Sequence, residues 1–159
     1  MTAQMKTQTR SLRVASAGFT LTELMVALVI GAILLSIGIP SYMGQVRKSR
    51  RTDARTALLD LAGREERLYA TTNAYSATPS ALGYSAPGDA FPMTVGSGYY
   101  QIAVAAALGP PATFTLTATP IAGMGQENDT DCASFAVDQA GRQTALDGSA
   151  VDASATCWR

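Results

Sequence analysis

From Leu24 to Ile39 the chain runs 16 residues without a charged side chain. The wider stretch Phe19 to Pro40 covers 22 residues, which as a helix rises ~33 Å, enough to cross a hydrocarbon core of about 30 Å. One carboxylate, Glu23, stands almost at its head, and the residues before it carry only positive charge (Lys6, Arg10, Arg13). A membrane-spanning helix is the direct reading, and it leaves an acid at the mouth of the span to be explained.

The rest of the chain is bounded by what 159 residues allow, at most one modest domain behind the apolar segment. The formal net charge is zero, but the signs are unevenly placed. Residues 47–67 hold seven bases against four acids, and residues 71–159 hold two bases against seven acids. That distribution does not indicate a globally basic nucleic-acid binder. There is no histidine, which removes the commonest general base and metal ligand. No Ser/His/Asp set or cysteine cluster is present, and Gly96-x-Gly98 and Gly123-x-Gly125 are too short to be phosphate loops. Asp129 and Asp131 could hold a cation but read more simply as a solvated acidic loop. The chain is therefore expected to be no enzyme and to need neither cofactor nor metal.

Both cysteines, Cys132 and Cys157, lie near the C-terminal end. A lone pair behind a membrane segment suggests a disulfide formed in an oxidising compartment; two buried free thiols are the alternative. Going along the chain, residues 1–18 are polar and basic and read as a processing segment. Gly38 and Pro40 mark an expected weak point of the helix, since proline deletes one hydrogen bond and crowds the preceding turn. Beyond it, Leu58, Leu61, Ala62, Glu65, Leu68 and Tyr69 recur at spacings of three and four, an amphipathic helix over residues 41–70. Whether both stretches form one helix the pattern leaves open. Residues 71–98 are broken by Gly and Pro and read as an irregular connection. Two runs then alternate, Tyr100, Ile102, Val104 and Ala106 on one face, then Phe114, Leu116 and Ala118, around Gly109-Pro110-Pro111. They predict an antiparallel hairpin with one face on the helix. A third strand is expected at Ser134–Val137, followed by a turn at Asp138-Gln139-Ala140-Gly141. Ala145 to Arg159 would be loosely ordered unless Cys157 is tied to Cys132.

The stretch Gly18-Phe19-Thr20-Leu21-Thr22-Glu23-Leu24-Met25 after a short basic leader, followed by Ile39-Pro40-Ser41-Tyr42, resembles the type IV pilin family. The remainder is similar to minor pilins of the PilE kind at Glu66-Arg67-Leu68-Tyr69, Asn73-Ala74-Tyr75, Gly98-Tyr99-Tyr100, Asp131-Cys132 and Cys157-Trp158. The resemblance implies an α+β fold in which a long N-terminal hydrophobic helix packs against a small antiparallel β-sheet with a disulfide-closed C-terminal loop. It divides the chain into a leader (1–18), a transmembrane and assembly half of the helix (19–40), an amphipathic half (41–70) and a β domain with its connecting loop (71–159). It implies cleavage by a prepilin peptidase between Gly18 and Phe19 and N-methylation of Phe19. Glu23 would pair with the N-terminal amine of a neighbouring subunit during assembly.

The implied partners are other pilin subunits, the prepilin peptidase, the inner-membrane assembly machinery and the membrane itself before assembly. Nucleic acid is possible but not indicated. The implied course is a single pass through the inner membrane with the C-terminus in the periplasm, then export into an extracellular pilus supporting adhesion, twitching motility or DNA uptake. The basic run Arg47, Lys48, Arg50, Arg51 and Arg55 runs against the positive-inside rule for that orientation, and reads as a solvated helix face beside headgroups rather than a DNA or anionic-lipid contact. A type II secretion pseudopilin shares the leader and anchor. An ordinary signal peptide, cut near Ser36-Ile37-Gly38 to release a soluble binding domain, is the other alternative.

Overall fold

A computed structural model describes residues 18–107 and 109–159; residues 1–17 of the expected leader lie outside the described residues. The first helix, α1, runs Leu21–Thr72. It starts where it does because Thr20 caps it: the Thr20 hydroxyl accepts the Glu23 backbone N–H at 3.2 Å, satisfying a donor that has no partner inside the helix. Pro40 lies inside α1 and does not end it. Two units divide the chain, the first ending at Pro40 and the second running Ser41–Arg159. In the first unit every large apolar side chain from Leu24 to Ile39 is more than half exposed among the described residues.

The second unit is built on five strands, β1 (Met93–Val95), β2 (Tyr100–Ala107), β3 (Thr113–Pro120), β4 (Ser134–Asp138) and β5 (Gln143–Leu146). They form one antiparallel sheet in the order β1-β2-β3-β4-β5. On the helix, Ala54, Leu58, Leu61 and Glu65 are buried, and their spacing of four, three and four puts them on one stripe. Against that stripe pack Tyr100 and Ile102 of β2, Phe114, Leu116 and Ala118 of β3, and Phe135 and Val137 of β4. The alternation in β2 and β3 therefore has the expected cause, one face on the core and the other in solvent. The Phe135 ring meets Tyr100 and Trp158 edge-on at 6.1 and 5.9 Å between centroids, arrangements favoured by the ring quadrupoles.

Two strands depart from the expected pattern. The connection 71–98 is not wholly irregular: Met93, Thr94 and Val95 pair with Ile102, Gln101 and Tyr100. A strand of three residues between Pro92 and Gly96 is too short to show period two. The segment from Gln143 likewise pairs, with Val137, Ala136, Phe135 and Ser134 of β4 across the Asp138–Arg142 turn. It buries only Ala145, so it has almost no apolar signature. A short helix, α2 (Ser154–Cys157), follows.

α1 closes at Asn73, whose φ of 54° is the left-handed conformation that asparagine tolerates better than most residues, and whose N–H reaches the Tyr69 carbonyl at 2.8 Å. About two turns earlier, Glu65 is fully buried. Its Oε2 accepts the Ser76 N–H at 3.1 Å, pinning the chain just after the helix, while Oε1 has no partner. Burial pushes the Glu65 carboxyl above its ordinary value, and the neighbouring Glu66 carboxylate adds to the shift. A raised folded-state pKa means that the stability from this group is fully present below about pH 4.5, the unfolded value. That stability is lost as pH rises through the folded value. Glu65→Gln keeps an acceptor for Ser76 without a charge to desolvate. It is expected to raise stability at pH 7 by about 1 kcal/mol and to flatten the loss between acid and neutral pH, as read from urea midpoints across that range.

Candidate functional site

Two groups of residues carry the chemistry, the head of the apolar segment and the helix stem just beyond it. At the head, Gly18, Phe19 and Glu23 are all exposed. Glu23 lies in the first turn of α1, where the helix dipole favours a carboxylate. Thr20-x-x-Glu23 is the sequence of a capping box, a signal that was available in the sequence and identifies Thr20 as the residue setting where the helix begins. Gly38 and Pro40 both lie within α1, and no atom comes within 4 Å of the place a Gly38 side chain would occupy.

In the stem, the basic run is not simply a solvated face. Arg51 makes a two-pronged ion pair with Asp129, Nε to Oδ2 at 2.6 Å and Nη2 to Oδ1 at 2.5 Å. Asp129 is almost fully buried, which corrects the reading of Asp129 as part of a solvated acidic loop; Asp131 is exposed and meets Arg51 only at 3.5 Å. The hydrogen bond to Asp129 raises the Arg51 pKa further above its already high value. Gln126, also buried, donates from Nε2 to Asp129 Oδ2 and to the Tyr100 hydroxyl, both at 3.0 Å. Burial pushes the Tyr100 phenol up to about 12. A chain of polar contacts thus links helix, strand β2 and the β3–β4 loop through the core.

The other stem bases divide the remaining work. Arg50 places its guanidinium 3.4 Å from the centre of the Tyr99 ring, a cation–π contact. Arg55 donates from Nη1 to the carbonyls of Cys157 and Arg159 at 3.2 and 2.5 Å. Cys157 is joined to Cys132 by a disulfide, so helix, sheet and C-terminal segment are fastened together at one place. Three bases of the run are thereby structural, and their partners lie 49 to 104 positions away in sequence. Beside them, Lys48, Arg51, Thr52 and Arg55 of the helix and Thr156 and Arg159 of the C-terminal segment line an open groove of about 550 Å³.

Farther along α1, Arg64 bonds Asp60 at 2.9 Å, stacks on Tyr84 and donates to the Leu82 carbonyl, holding the first part of the connection to the helix. Burial and a hydrogen bond to Asp60 push the Tyr84 phenol up to about 12. Among the described residues, no group of three or more Cys, Asp or Glu is placed to hold a metal ion.

Comparison with known proteins sets this geometry in a family. Residues 13–39 match the prokaryotic N-terminal methylation motif, which covers the junction at Gly18-Phe19, Glu23 and the apolar run. Residues 40–136 match the family described as type IV minor pilin ComP, DNA uptake sequence receptor, which covers the stem, the connection and strands β1 to β3 and reaches into β4. No curated protein matches the chain. The second match spans more than half of the 159 residues, and with the helix-on-sheet fold and the closing disulfide it shows that this chain belongs to the ComP family of type IV minor pilins.

Proposed function

We propose that this minor pilin is a receptor for DNA at the surface of a type IV pilus. The observation that carries the reading is the match over residues 40–136 to a family described as a DNA uptake sequence receptor. Electrostatics narrow how such a receptor would work. Residues 71–159 carry seven acids and two bases, so that part of the chain supplies no broad basic surface for a duplex. A few exposed cations and base-edge contacts would have to do it. The expected consequence is weak salt dependence, a slope of log Kobs on log salt of about −3 or shallower, corresponding to about three phosphate contacts. Titrating the protein with duplexes that carry or lack an uptake sequence, across salt concentrations, tests this. Equal affinity for both duplexes would defeat the receptor reading while leaving family membership untouched.

Assembly follows the anchor motif. Cleavage between Gly18 and Phe19, methylation of Phe19, and pairing of Glu23 with a neighbouring subunit's N-terminal amine are supported by the methylation-motif match. Physics supports them too: an acid left in a membrane or filament core costs about 2.5–3.5 kcal/mol unless partnered. The exposed apolar length Leu24–Ile39 would sit in the inner membrane, C-terminus in the periplasm, and then among the helices of other subunits. Gly38 and Pro40 supply a locally weaker helix for that transfer. Glu23→Ala and Gly18→Ala are each expected to abolish incorporation into sheared surface fibres while residues 71–159 still fold. Normal amounts of either variant in fibres would refute the assigned roles.

A further inference from the structure

We propose that the groove lined by Lys48, Arg51, Thr52, Arg55, Thr156 and Arg159 is a seat for the phosphodiester headgroup of an anionic membrane lipid, occupied while the subunit waits in the bilayer.

The chemistry of the lining is that of an oxyanion site. The Lys48 ammonium, the Arg159 guanidinium and the N–H groups of Arg51 and Arg55 not already bonded within the protein supply charge-assisted donors to phosphate oxygens, and Thr156 adds a hydroxyl. The guanidiniums are also held before any ligand arrives. Arg51 is clamped by the buried Asp129, and Arg55 is fixed by the Cys157 and Arg159 carbonyls and by Thr52 Oγ1 at 3.0 Å. Ordering long side chains in advance removes much of the entropy that binding would otherwise lose. Asp129 neutralises Arg51, whereas no Asp or Glu pairs with Lys48, Arg55 or Arg159 among the described residues. The groove therefore keeps an unmatched positive charge, in a unit whose residues 71–159 are predominantly acidic.

Size and position favour a lipid headgroup. A volume of about 550 Å³ suits one small headgroup. Lys48 follows Pro40 by eight residues within α1, about 12 Å of helical rise, and helical side chains lean toward the N-terminus. The Lys48 ammonium thus reaches back toward the level where a bilayer's phosphates begin, 5–7 Å or so beyond its hydrocarbon edge. The same proposal accounts for most of the stem bases on the far side of the span from the leader's own: Lys48, Arg51 and Arg55 line the seat, and Arg50 is fastened to Tyr99.

The test uses the full chain in neutral detergent micelles doped with phosphatidylglycerol or with phosphatidylcholine, counting retained lipid by native mass spectrometry. Retention of phosphatidylglycerol over phosphatidylcholine is expected. Lys48→Ala should weaken it about five-fold, the effect of one basic residue at a membrane surface. Arg67→Ala, an exposed base of the same helix outside the groove, should leave it unchanged. Equal retention of the two lipids, or equal losses in the two variants, would overturn the proposal. A short DNA duplex displacing the lipid, with its own binding lost in Lys48→Ala, would overturn it in favour of a nucleic-acid site. Failure of the duplex to displace the lipid would support it.

Discussion

Arg51→Ala is expected to lower the unfolding free energy by about 3–5 kcal/mol, the cost of stripping one partner from a buried ion pair. The size follows from what remains. Asp129 is 2% exposed and would keep Gln126 Nε2 as a donor, but no cation. Gln126 is itself already short of one partner, at Oε1. Arg51→Met fills the volume without the charge and is expected to be nearly as costly. Pairing Arg51→Met with Asp129→Leu should recover most of the loss, because the carboxylate that needed the guanidinium is gone. Urea midpoints of the four proteins, arranged as a double-mutant cycle, read the coupling directly. A coupling below about 1 kcal/mol would show the pair behaving like an exposed one.

Removing the disulfide is the second large perturbation. Cys132→Ala with Cys157→Ala opens a link of sequence separation 25 and is expected to cost roughly 3 kcal/mol on the chain-entropy estimate. The loss should be uneven across the unit. Trp158 is the sole tryptophan; it donates to the Thr144 carbonyl at 2.9 Å and packs on Phe135. Its fluorescence should therefore shift red at lower denaturant than the strand signal in circular dichroism is lost. Coincident transitions at the unaltered midpoint would show that the C-terminal segment holds without its covalent tie.

The sequence made the large features legible because their signals are local. Sixteen uncharged residues from Leu24 to Ile39 announce the anchor, and the alternation through Tyr100–Ala106 and Phe114–Ala118 announces the central hairpin. Even Glu65 could be seen on the apolar stripe of the stem, which is where it is buried. What stayed hidden depends on partners far away in the chain. Nothing beside Asp129 in sequence shows that Arg51, 78 residues earlier, makes its burial tolerable, and nothing beside Arg55 points to carbonyls 102 and 104 residues later. β1 and β5 were illegible for a different reason: they are held chiefly by their neighbours' hydrogen bonds, with little apolar surface of their own.

The outer side of β5 is already occupied. Leu146 bridges to Asp152, the Ala153 N–H reaches the Ala145 carbonyl at 2.9 Å, and Ser154 Oγ accepts the Ala145 N–H at 2.9 Å. The segment that does this ends in Cys157, so the disulfide keeps a strand edge closed. A sheet with an open edge offers a route to unwanted strand-to-strand polymerisation. The oxidised C-terminal segment closes the β5 edge of the sheet to that route.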